Sequence, residues 1–511
     1  MKKIKGLLIV VAASFATIGC QDAIDIIQDG ELVEENVFKT AADLEKYLNG
    51  SVYSSLDNQA GMKFSSVFTD EVKIGPSNTG QDASLYRYIL NSGSAYVGTI
   101  WAQNYSTINT VNRLLKAAQN ITPVTAEDQV IYNNAIGEAR ALRALAYMNL
   151  LSYFSPNMSD DSSLGVILSL TVPNPTEMLP RATTGEVWAA VEEDLNFAAS
   201  NISPTYQAGA SINRSSQYFI SKIGVDALKA RMYTYRKNYA QAKTYAQNVI
   251  SAYTAGLTAA TPLPTGTPGS AAWNSAFYGT TSTNPYRKMW TDTERGEVIF
   301  GLSRPAVGQG GIASLWTTNQ TNLTGGPLFV TGLNLFNLYT NTPADIRRYA
   351  FVDPTFDATE RYYVIDKYPG KGSTPLKNDV KIIRLSEVYL ILAEAEAKTG
   401  NLPGAATAIQ TLRNARVMSG TAPLPSYGSV TQALRDILLE RRVELAYEGH
   451  RYVDLRRLGA EASVSIDRNA QDDIFPSTPL SLDINDYRFT LPIPAVELTG
   501  NTNIQQNPGY N

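Results

Sequence analysis

Hydrophobic residues recur every three or four positions through most of the chain, and this spacing predicts amphipathic helices. The stretch 101–118 is an example, because one helical face carries Trp101, Tyr105, Ile108, Val111 and Leu115. The same periodicity predicts further helices at 41–56, 131–154, 184–199, 221–235, 240–252, 379–399, 403–417 and 429–447. The pattern therefore indicates a mainly α protein.

Two of the predicted helix pairs show the spacing of a tetratricopeptide repeat. In the first pair Ala230 and Ala242 are twelve positions apart, and in the second Ala393 and Ala405 have the same separation. Small side chains at these positions let two antiparallel helices approach closely. Stacked pairs of this kind form a curved scaffold, so we expect ligand binding to involve other parts of the chain.

Two segments, 254–290 and 305–327, interrupt the helical pattern and are rich in Thr, Gly, Pro, Ala and Asn. They predict a loop-rich insertion around 254–330, and loops this long in a compact protein are usually functional or disordered. Aromatic residues in both segments argue against disorder. These residues are Trp273, Phe277, Tyr278, Tyr286, Trp290 and Trp316.

The first 36 residues are interpreted as a leader and a tether. Residues 1–5 are basic and residues 6–18 are apolar, and this apolar run of 13 is short for a membrane span. The sequence Thr17-Ile18-Gly19-Cys20 resembles the bacterial lipoprotein cleavage box. We therefore predict a lipoprotein signal peptide at 1–19, lipid attachment at Cys20, an acidic tether at 20–36 and a single folded body at 37–511. An ordinary secretory leader is the alternative.

Composition narrows the possible chemistry. One cysteine and one histidine are too few for a zinc site of Cys and His ligands, and a Ser/His/Asp triad would have to use His450. The formal charge of -4 becomes -7 once Lys2, Lys3 and Lys5 leave with the leader. An acidic chain without a basic run is a poor nucleic-acid binder. The 47 Asp and Glu residues leave carboxylate catalysis open, and no metal or cofactor is predicted.

Several motifs, in this order along the chain, resemble the SusD/RagB family, the surface nutrient-binding lipoproteins of certain Gram-negative bacteria. The resemblance covers nearly the whole mature chain. The motifs are Gly137-Glu138-Ala139-Arg140, Leu142-Arg143-Ala144, Leu179-Pro180-Arg181, Arg384-Leu385, Glu440-Arg441-Arg442, Asp454-Leu455-Arg456-Arg457, Leu491-Pro492-Ile493-Pro494 and Gln506-Asn507-Pro508-Gly509-Tyr510.

The resemblance implies a SusD-like fold and a non-enzymatic role at the cell surface. A protein of this family would capture a glycan and pass it to a SusC-like TonB-dependent transporter, without a cofactor, while lipid-anchored to the outer membrane. Peptide capture, as in the RagB branch, is the first alternative. A glycoside hydrolase that acts through two carboxylates is the second.

Glu440, Glu444 and Glu448 recur every four residues and so share one helix face. Like charges at this spacing repel by a few tenths of a kcal/mol, so the helix needs cations from elsewhere. Arginine suits bidentate pairing with carboxylates. The predicted partners in this structural ion-pair motif are Arg140, Arg143, Arg384, Arg441 and Arg451. If the protein were a hydrolase, two of these glutamates would instead be its acid and its nucleophile.

A sugar-binding site needs exposed aromatic faces on loops held by a rigid scaffold, with polar groups beside them. The loop-rich insertion and the segment 74–100 supply such residues. The predicted ligand-binding aromatics are Trp273, Tyr278, Tyr286, Trp316 and Tyr96, with Asp70 and Arg87 as polar partners. Packing inside the loop region is the alternative for each aromatic. Trp101 and Tyr105 follow the helical spacing and are interpreted as core.

Overall fold

The computed structural model describes residues 37–174, 176–204, 214, 216–279, 282–304, 311–317, 326–342, 344–353, 362–371 and 374–510. Cys20, the predicted signal peptide and the predicted tether lie outside these residues. Within the described part of the chain, no helix is both long enough and apolar enough to cross a membrane.

Helices dominate the structure, as the hydrophobic spacing predicts. In the first half of the chain they are α1 (Ala41–Tyr47), α2 (Tyr53–Ser55), α3 (Gln59–Phe68), α4 (Ala83–Tyr86), α5 (Ala95–Ala118), α6 (Ala126–Phe154), α7 (Thr184–Asn201), α8 (Lys222–Tyr235) and α9 (Tyr239–Ala252). In the second half they are α10 (Ala271–Tyr278), α11 (Pro285–Trp290), α12 (Leu333–Thr340), α13 (Arg347–Ala350), α14 (Leu385–Lys398), α15 (Leu402–Asn414), α16 (Val430–Glu444), α17 (Arg451–Ala462) and α18 (Ala495–Gly500).

The long helices pack against one another in chain order and form the scaffold. Helix α5 packs on α6, α6 on α7, α7 on α8 and α8 on α9; α9 packs on α14, which contacts α15 and α16, and α16 packs on α17. Ala230 and Ala242 are fully buried where α8 meets α9, and Ala393 and Ala405 are fully buried where α14 meets α15. The mainly α fold with tetratricopeptide-like pairs is confirmed.

Replacing Ala242 with leucine is expected to lower the free energy of unfolding by about 1–3 kcal/mol, because the extra carbons overpack a filled helix interface. Ala240 is exposed two residues earlier on the same helix, so Ala240→Leu serves as the control and should stay within about 0.5 kcal/mol of the wild type. Urea denaturation measures both. Equal losses for the two variants would show that α8 and α9 are not packed as closely as described.

The strands are short and form antiparallel pairs. They are β1 (Val72–Ile74), β2 (Leu164–Ile167), β3 (Arg181–Thr183), β4 (Val298–Leu302), β5 (Phe329–Thr331), β6 (Gly370–Lys371), β7 (Thr374–Pro375) and β8 (Val380–Arg384). The pairs are β1 with β5, β2 with β3, β4 with β8 and β6 with β7. The β4–β8 pair connects the loop-rich region to the start of α14, and its register sets Val298 opposite Arg384.

Two predicted helices differ from the observed ones. The predicted helix 379–399 begins only at Leu385, because the β-branched and apolar residues before it pair as β8 with the buried strand β4. The predicted helix 41–56 is interrupted by a π-helical segment at Leu48–Val52. Asn49 and Gly50 lie there, and both are weak helix formers.

Candidate functional site

Three of the predicted ligand-binding aromatics are buried. Trp273 is 1% exposed, Tyr286 is 0% exposed and Trp316 is 3% exposed. Trp273 stacks on Phe277 at a ring-centroid distance of 4.9 Å, and Trp316 stacks on Tyr368 at 5.7 Å. The prediction that these three rings present exposed faces is therefore wrong. These rings join the same hydrophobic core as the helical scaffold, because burying such rings stabilises a segment that has few helices.

The other predicted residues around these loops remain partly exposed. The Tyr278 hydroxyl donates to the Tyr349 carbonyl at 2.9 Å, and the Tyr96 hydroxyl donates to Asp82 at 2.8 Å. The Arg87 guanidinium lies 5.3 Å from the Phe475 ring centroid. These contacts hold each side chain in a different place, so a role in ligand binding stays a prediction for all three.

Asp70 is buried in an ion pair and does not line an open surface. Both of its carboxylate oxygens accept hydrogen bonds from Arg451, at 2.9 and 2.8 Å. Burial alone would raise the pKa of Asp70, but the charges of Arg442 and Arg451 outweigh it and lower the pKa to about 2. The prediction of Asp70 as a polar partner of a sugar is wrong, because its oxygens are already occupied.

The three glutamates on α16 and just beyond it are buried and neutralised by cations. Glu444 lies within 2.8 Å of Arg384, 2.9 Å of Arg416 and 3.1 Å of Arg347. The charges of the arginines, Arg416 first, outweigh burial and hold the pKa of Glu444 well below its usual range. Glu444 is therefore ionised at neutral pH. It cannot act there as the general acid of a hydrolase, which needs a raised pKa.

The neighbouring glutamates are held in the same way. Glu440 contacts Arg347 and Arg413, each at 2.6 Å. Glu448 contacts Arg384 at 2.6 Å and Lys367 at 2.7 Å. Although burial opposes it, the charges of Arg384 and Lys367 lower the pKa of Glu448 to about 2.

The predicted partners of these glutamates are wrong for four of the five arginines. Of the five predicted arginines, only Arg384 forms ion pairs with these glutamates. Arg140 and Arg143 pair with Asp194, Arg441 pairs with Asp454, and Arg451 pairs with Asp70. Spacing along one helix indicates that cations are needed but carries no information on which distant arginine supplies them.

Glu71, which follows Asp70, has no such cation. The Tyr447 amide donates to its Oε1 at 3.2 Å, while Oε2 is buried without a hydrogen-bond partner among the described residues. Burial penalises the charged form and raises the pKa of Glu71 to about 7. The pKa of this carboxyl is higher in the folded protein than in the unfolded chain. The free energy of unfolding therefore falls as the pH rises from the ordinary pKa of a glutamate to the raised pKa of Glu71.

Glu71→Gln is therefore expected to remove about 2 kcal/mol of the decline in unfolding free energy between pH 5 and pH 8. Urea denaturation of both proteins at the two pH values measures this difference. Glu127 is exposed on α6, and Glu127→Gln should leave the wild-type decline unchanged. A decline that is the same in Glu71→Gln as in the wild type would contradict the burial of Glu71 without an ion-pair partner among the described residues.

An open cleft of about 600 Å³ lies between α5, the segment 167–179 and the C-terminal helix α18. It is called the α5 cleft below. Its lining residues are Trp101, Ala102, Tyr105, Ser106, Ile108, Asn109, Ile167, Ser169, Pro173, Glu177, Leu179, Glu497, Gly500 and Asn501. A cleft of this volume can enclose a small organic ligand.

The aromatic side of the α5 cleft is formed by two residues of one helix turn. Tyr105 is half-buried, and its ring centroid lies 4.8 Å from that of Trp101. Trp101 is buried and packs its ring against Phe154 at 4.9 Å. The Tyr105 hydroxyl donates to the Ile167 carbonyl at 2.8 Å, which fixes the ring orientation. The core interpretation fits Trp101, but Tyr105 borders the cleft, and helical spacing cannot distinguish the two positions.

The polar side of the α5 cleft is rich in hydrogen-bond acceptors. Glu177 is exposed and Glu497 is half-buried, and neither forms an ion pair with a residue that the structure describes. The Asn109 Oδ1 is buried and has no hydrogen-bond partner among the described residues. No described lysine or arginine lines the cleft. This arrangement suits a ligand that presents several hydroxyl donors and no negative charge.

Motif residues far apart in the sequence hold the walls of the α5 cleft. Arg143 pairs with Asp194 on α7 and donates to the Leu170 carbonyl at 3.1 Å. Arg181 donates to the Gln505 carbonyl at 3.0 Å and to the Asn507 Oδ1 at 2.9 Å. The Arg143 contact holds the wall at Leu170, and the Arg181 contacts tie the C-terminal segment to β3. The Asn501 side-chain amide joins the C-terminal segment to the cleft wall directly, because it donates to the Leu179 carbonyl at 2.7 Å. The arginines of these motifs thus shape the site without lining it.

Metal ligands are not concentrated anywhere in the described ranges, which hold no group of three or more His, Cys, Asp or Glu able to bind a metal ion. His450 begins α17 and does not line the α5 cleft. Burial lowers the pKa of His450.

Comparison with known proteins matches two separate regions of the chain to SusD-related family models. Residues 337–510 match the SusD family. Residues 24–233 match a family model described as "Starch-binding associating with outer membrane". SusD-like protein P2 from Formosa agariphila is 24% identical over 546 residues, which covers 100% of each chain.

Solved structures share the fold. A SusD superfamily protein from Bacteroides thetaiotaomicron has a TM-score of 0.73 and 24% identity, over 92% of this chain and 100% of that one. A laminarin-binding SusD-like protein has a TM-score of 0.65 and 22% identity, over 93% of this chain and 100% of that one. The two matched regions, the full-length relative and the shared fold together support a SusD-like family protein.

Proposed function

We propose that the protein binds a neutral glycan in the α5 cleft. The observation that carries this proposal is the juxtaposition of the half-buried Tyr105 ring with Glu177 and Glu497, which form no ion pair with a described residue. A pyranose presents an apolar face that can stack on an aromatic ring, and its hydroxyls donate to carboxylate and amide oxygens. The laminarin-binding relative supports a carbohydrate as the ligand class.

The protein is proposed to act without catalysis. The glutamates that a hydrolase would need on α16 are held ionised by arginines, and the relatives with a stated ligand are named as binding proteins. Capture at the outer-membrane surface would be followed by transfer to a SusC-like TonB-dependent transporter, with the protein anchored by lipid on Cys20. The outer-membrane description of the matched family model supports this location.

A ligand screen with the purified protein tests the proposed function. We expect at least one neutral oligosaccharide to bind in calorimetric titration and to be recovered unchanged after prolonged incubation. Binding of peptides without any glycan would favour the RagB-like alternative. Release of shorter sugars by the protein would favour the hydrolase alternative.

Anchoring and partnership are tested separately. Radiolabelled palmitate should be incorporated into the wild type and not into Cys20→Ala, and an unlabelled wild type would contradict a lipid anchor. A TonB-dependent receptor should co-purify with the protein from outer-membrane extracts in both directions of affinity capture. Its absence from both captures would contradict the proposed transfer.

A further inference from the structure

A second cavity, of about 620 Å³, lies among α15, the segment 423–427, α16, the start of α17 and the segment 464–467. It is called the arginine pocket below. Its lining residues are Arg413, Pro423, Leu424, Pro425, Ser426, Tyr427, Gln432, Arg435, Asp436, Leu439, Arg442, Arg451, Val464, Ser465 and Asp467. It shares no residue with the α5 cleft.

The pocket is formed mainly by one face of α16. Gln432, Arg435, Asp436, Leu439 and Arg442 follow one another at spacings of one or three residues, which places them in one stripe along the helix. Leu424 is 58% exposed and Leu439 is 40% exposed. The pocket thus combines an accessible apolar surface with guanidinium groups.

Each of the four guanidinium groups keeps hydrogen-bonding capacity that the described residues do not use. Arg413 uses Nε and Nη2 for Glu440 and Asp436, at 2.6 and 2.8 Å. Arg451 uses Nε and Nη2 for Asp70. In both, the Nη1 group donates to no described residue.

Arg435 and Arg442 have more of this unused capacity. Arg435 is exposed on α16, donates from Nε to the Ala462 carbonyl at 3.2 Å and forms no ion pair with a described residue. The Arg442 Nη2 donates to the carbonyls of Asp70 and Asp467, at 2.9 and 3.4 Å, and its Nη1 lies 3.8 Å from the Asp467 carboxylate. The buried Arg442 Nε has no described hydrogen-bond partner.

The lining holds more guanidinium groups than carboxylates, and two carboxylates outside it, Asp70 and Glu440, pair with three of the arginines. Four guanidinium groups face two carboxylates. Asp436 is already occupied by Arg413 and by the Tyr427 hydroxyl, at 2.8 and 2.6 Å. Asp467 has a 65% exposed side chain, so solvent screens its charge strongly. Asp70 accepts from Nε and Nη2 of Arg451, and Glu440 accepts from Nε of Arg413. These contacts leave the Nη1 groups of both arginines unused.

We propose that the arginine pocket binds the oxyanion of an acidic sugar, either a carboxylate or a sulfate on the ring. Guanidinium groups favour planar or branched oxyanions because several N–H groups can donate to them at once. Ser426, Ser465 and Gln432 also line the pocket and provide partners for ring hydroxyls. The apolar surface of Leu424 and Leu439 accommodates a ring face. This site is independent of the neutral-glycan site proposed for the α5 cleft.

The test uses matched disaccharides and the intact protein. A galacturonate disaccharide, its carboxyl-reduced neutral form and a sulfated galactose disaccharide are titrated against the wild type, Arg435→Ala and Leu439→Glu. We expect at least one acidic disaccharide to bind at least tenfold more tightly than the neutral form. The affinity should fall at least fivefold in Arg435→Ala, fall further in Leu439→Glu and weaken with rising salt.

Two controls separate this site from general charge and from the α5 cleft. Lys46 is exposed on α1 and outside the pocket, so Lys46→Ala should bind the acidic disaccharide like the wild type. Tyr105→Ala should also leave that binding unchanged, while Arg435→Ala should not affect a neutral glycan. Thermal denaturation of each variant checks that it is folded.

Comparing the affinities of the galacturonate disaccharide and the sulfated galactose disaccharide identifies which anion the pocket binds. Failure of both acidic disaccharides to bind, equal affinity for the neutral form, or binding that is unaffected in both pocket variants would overturn the proposal. Binding of an acidic peptide in place of every acidic sugar would overturn the sugar assignment.

Discussion

Glu444→Gln is expected to lower the free energy of unfolding by about 3–5 kcal/mol, because it removes one member of a buried ionic network and leaves its partners uncompensated. Arg384 and Arg416 are each at most 1% exposed in their side chains and lie within 2.9 Å of Glu444. Glutamine keeps the size of the side chain but not its charge. Urea denaturation monitored by circular dichroism measures the loss.

A matched surface pair is the control for this prediction. Glu461 pairs with Lys398 and Lys237, and the side chains of all three are between 22% and 41% exposed. Glu461→Gln should therefore change the unfolding free energy by less than about 1 kcal/mol. If Glu444→Gln were no more harmful than Glu461→Gln, the network would not be a structural centre of the fold.

Tyr105→Ala is expected to weaken glycan binding by about 2–3 kcal/mol, which corresponds to roughly 30- to 150-fold in Kd. The Tyr105 ring provides the aromatic face of the α5 cleft. The other aromatic residue among the described lining residues, Trp101, is buried. Titration of wild type and variant with the neutral oligosaccharide identified in the screen measures the change.

Two further variants separate the ring from its hydroxyl and from other aromatics. Tyr105→Phe keeps the ring and loses only the hydrogen bond to the Ile167 carbonyl, so its affinity should stay within about tenfold of the wild type. Tyr278→Ala should bind like the wild type, because Tyr278 lies outside the cleft. A normal affinity of Tyr105→Ala together with a loss in Tyr278→Ala would move the site to the loop-rich region.

The scaffold was predictable because its signals are local. Helical spacing identifies the long helices, and the buried alanines at positions 230, 242, 393 and 405 can be read from separations within one helix pair. The strand at Val380–Arg384 was not predictable in this way. Its conformation depends on β4, about 80 residues earlier in the chain, and apolar residues next to a helix extend the helical pattern equally well.

The candidate site was less predictable, because it depends on long-range contacts. The α5 cleft combines α5 with two segments that the hydrogen bond from Asn501 to the Leu179 carbonyl joins across 322 positions, and no spacing rule links them. The loop aromatics show a second limit. Composition indicates that Trp273, Tyr286 and Trp316 lie in irregular segments, but only the packing shows that these rings face inward.

The most direct test of the central claim is a crystal structure of the protein with the neutral oligosaccharide that binds most tightly in the screen. We expect one sugar ring against the Tyr105 ring, with hydroxyls within hydrogen-bond distance of Glu177 and Glu497 in the α5 cleft. A sugar bound only in the arginine pocket, or only beside Tyr278 and Tyr96, with the α5 cleft empty, would contradict it.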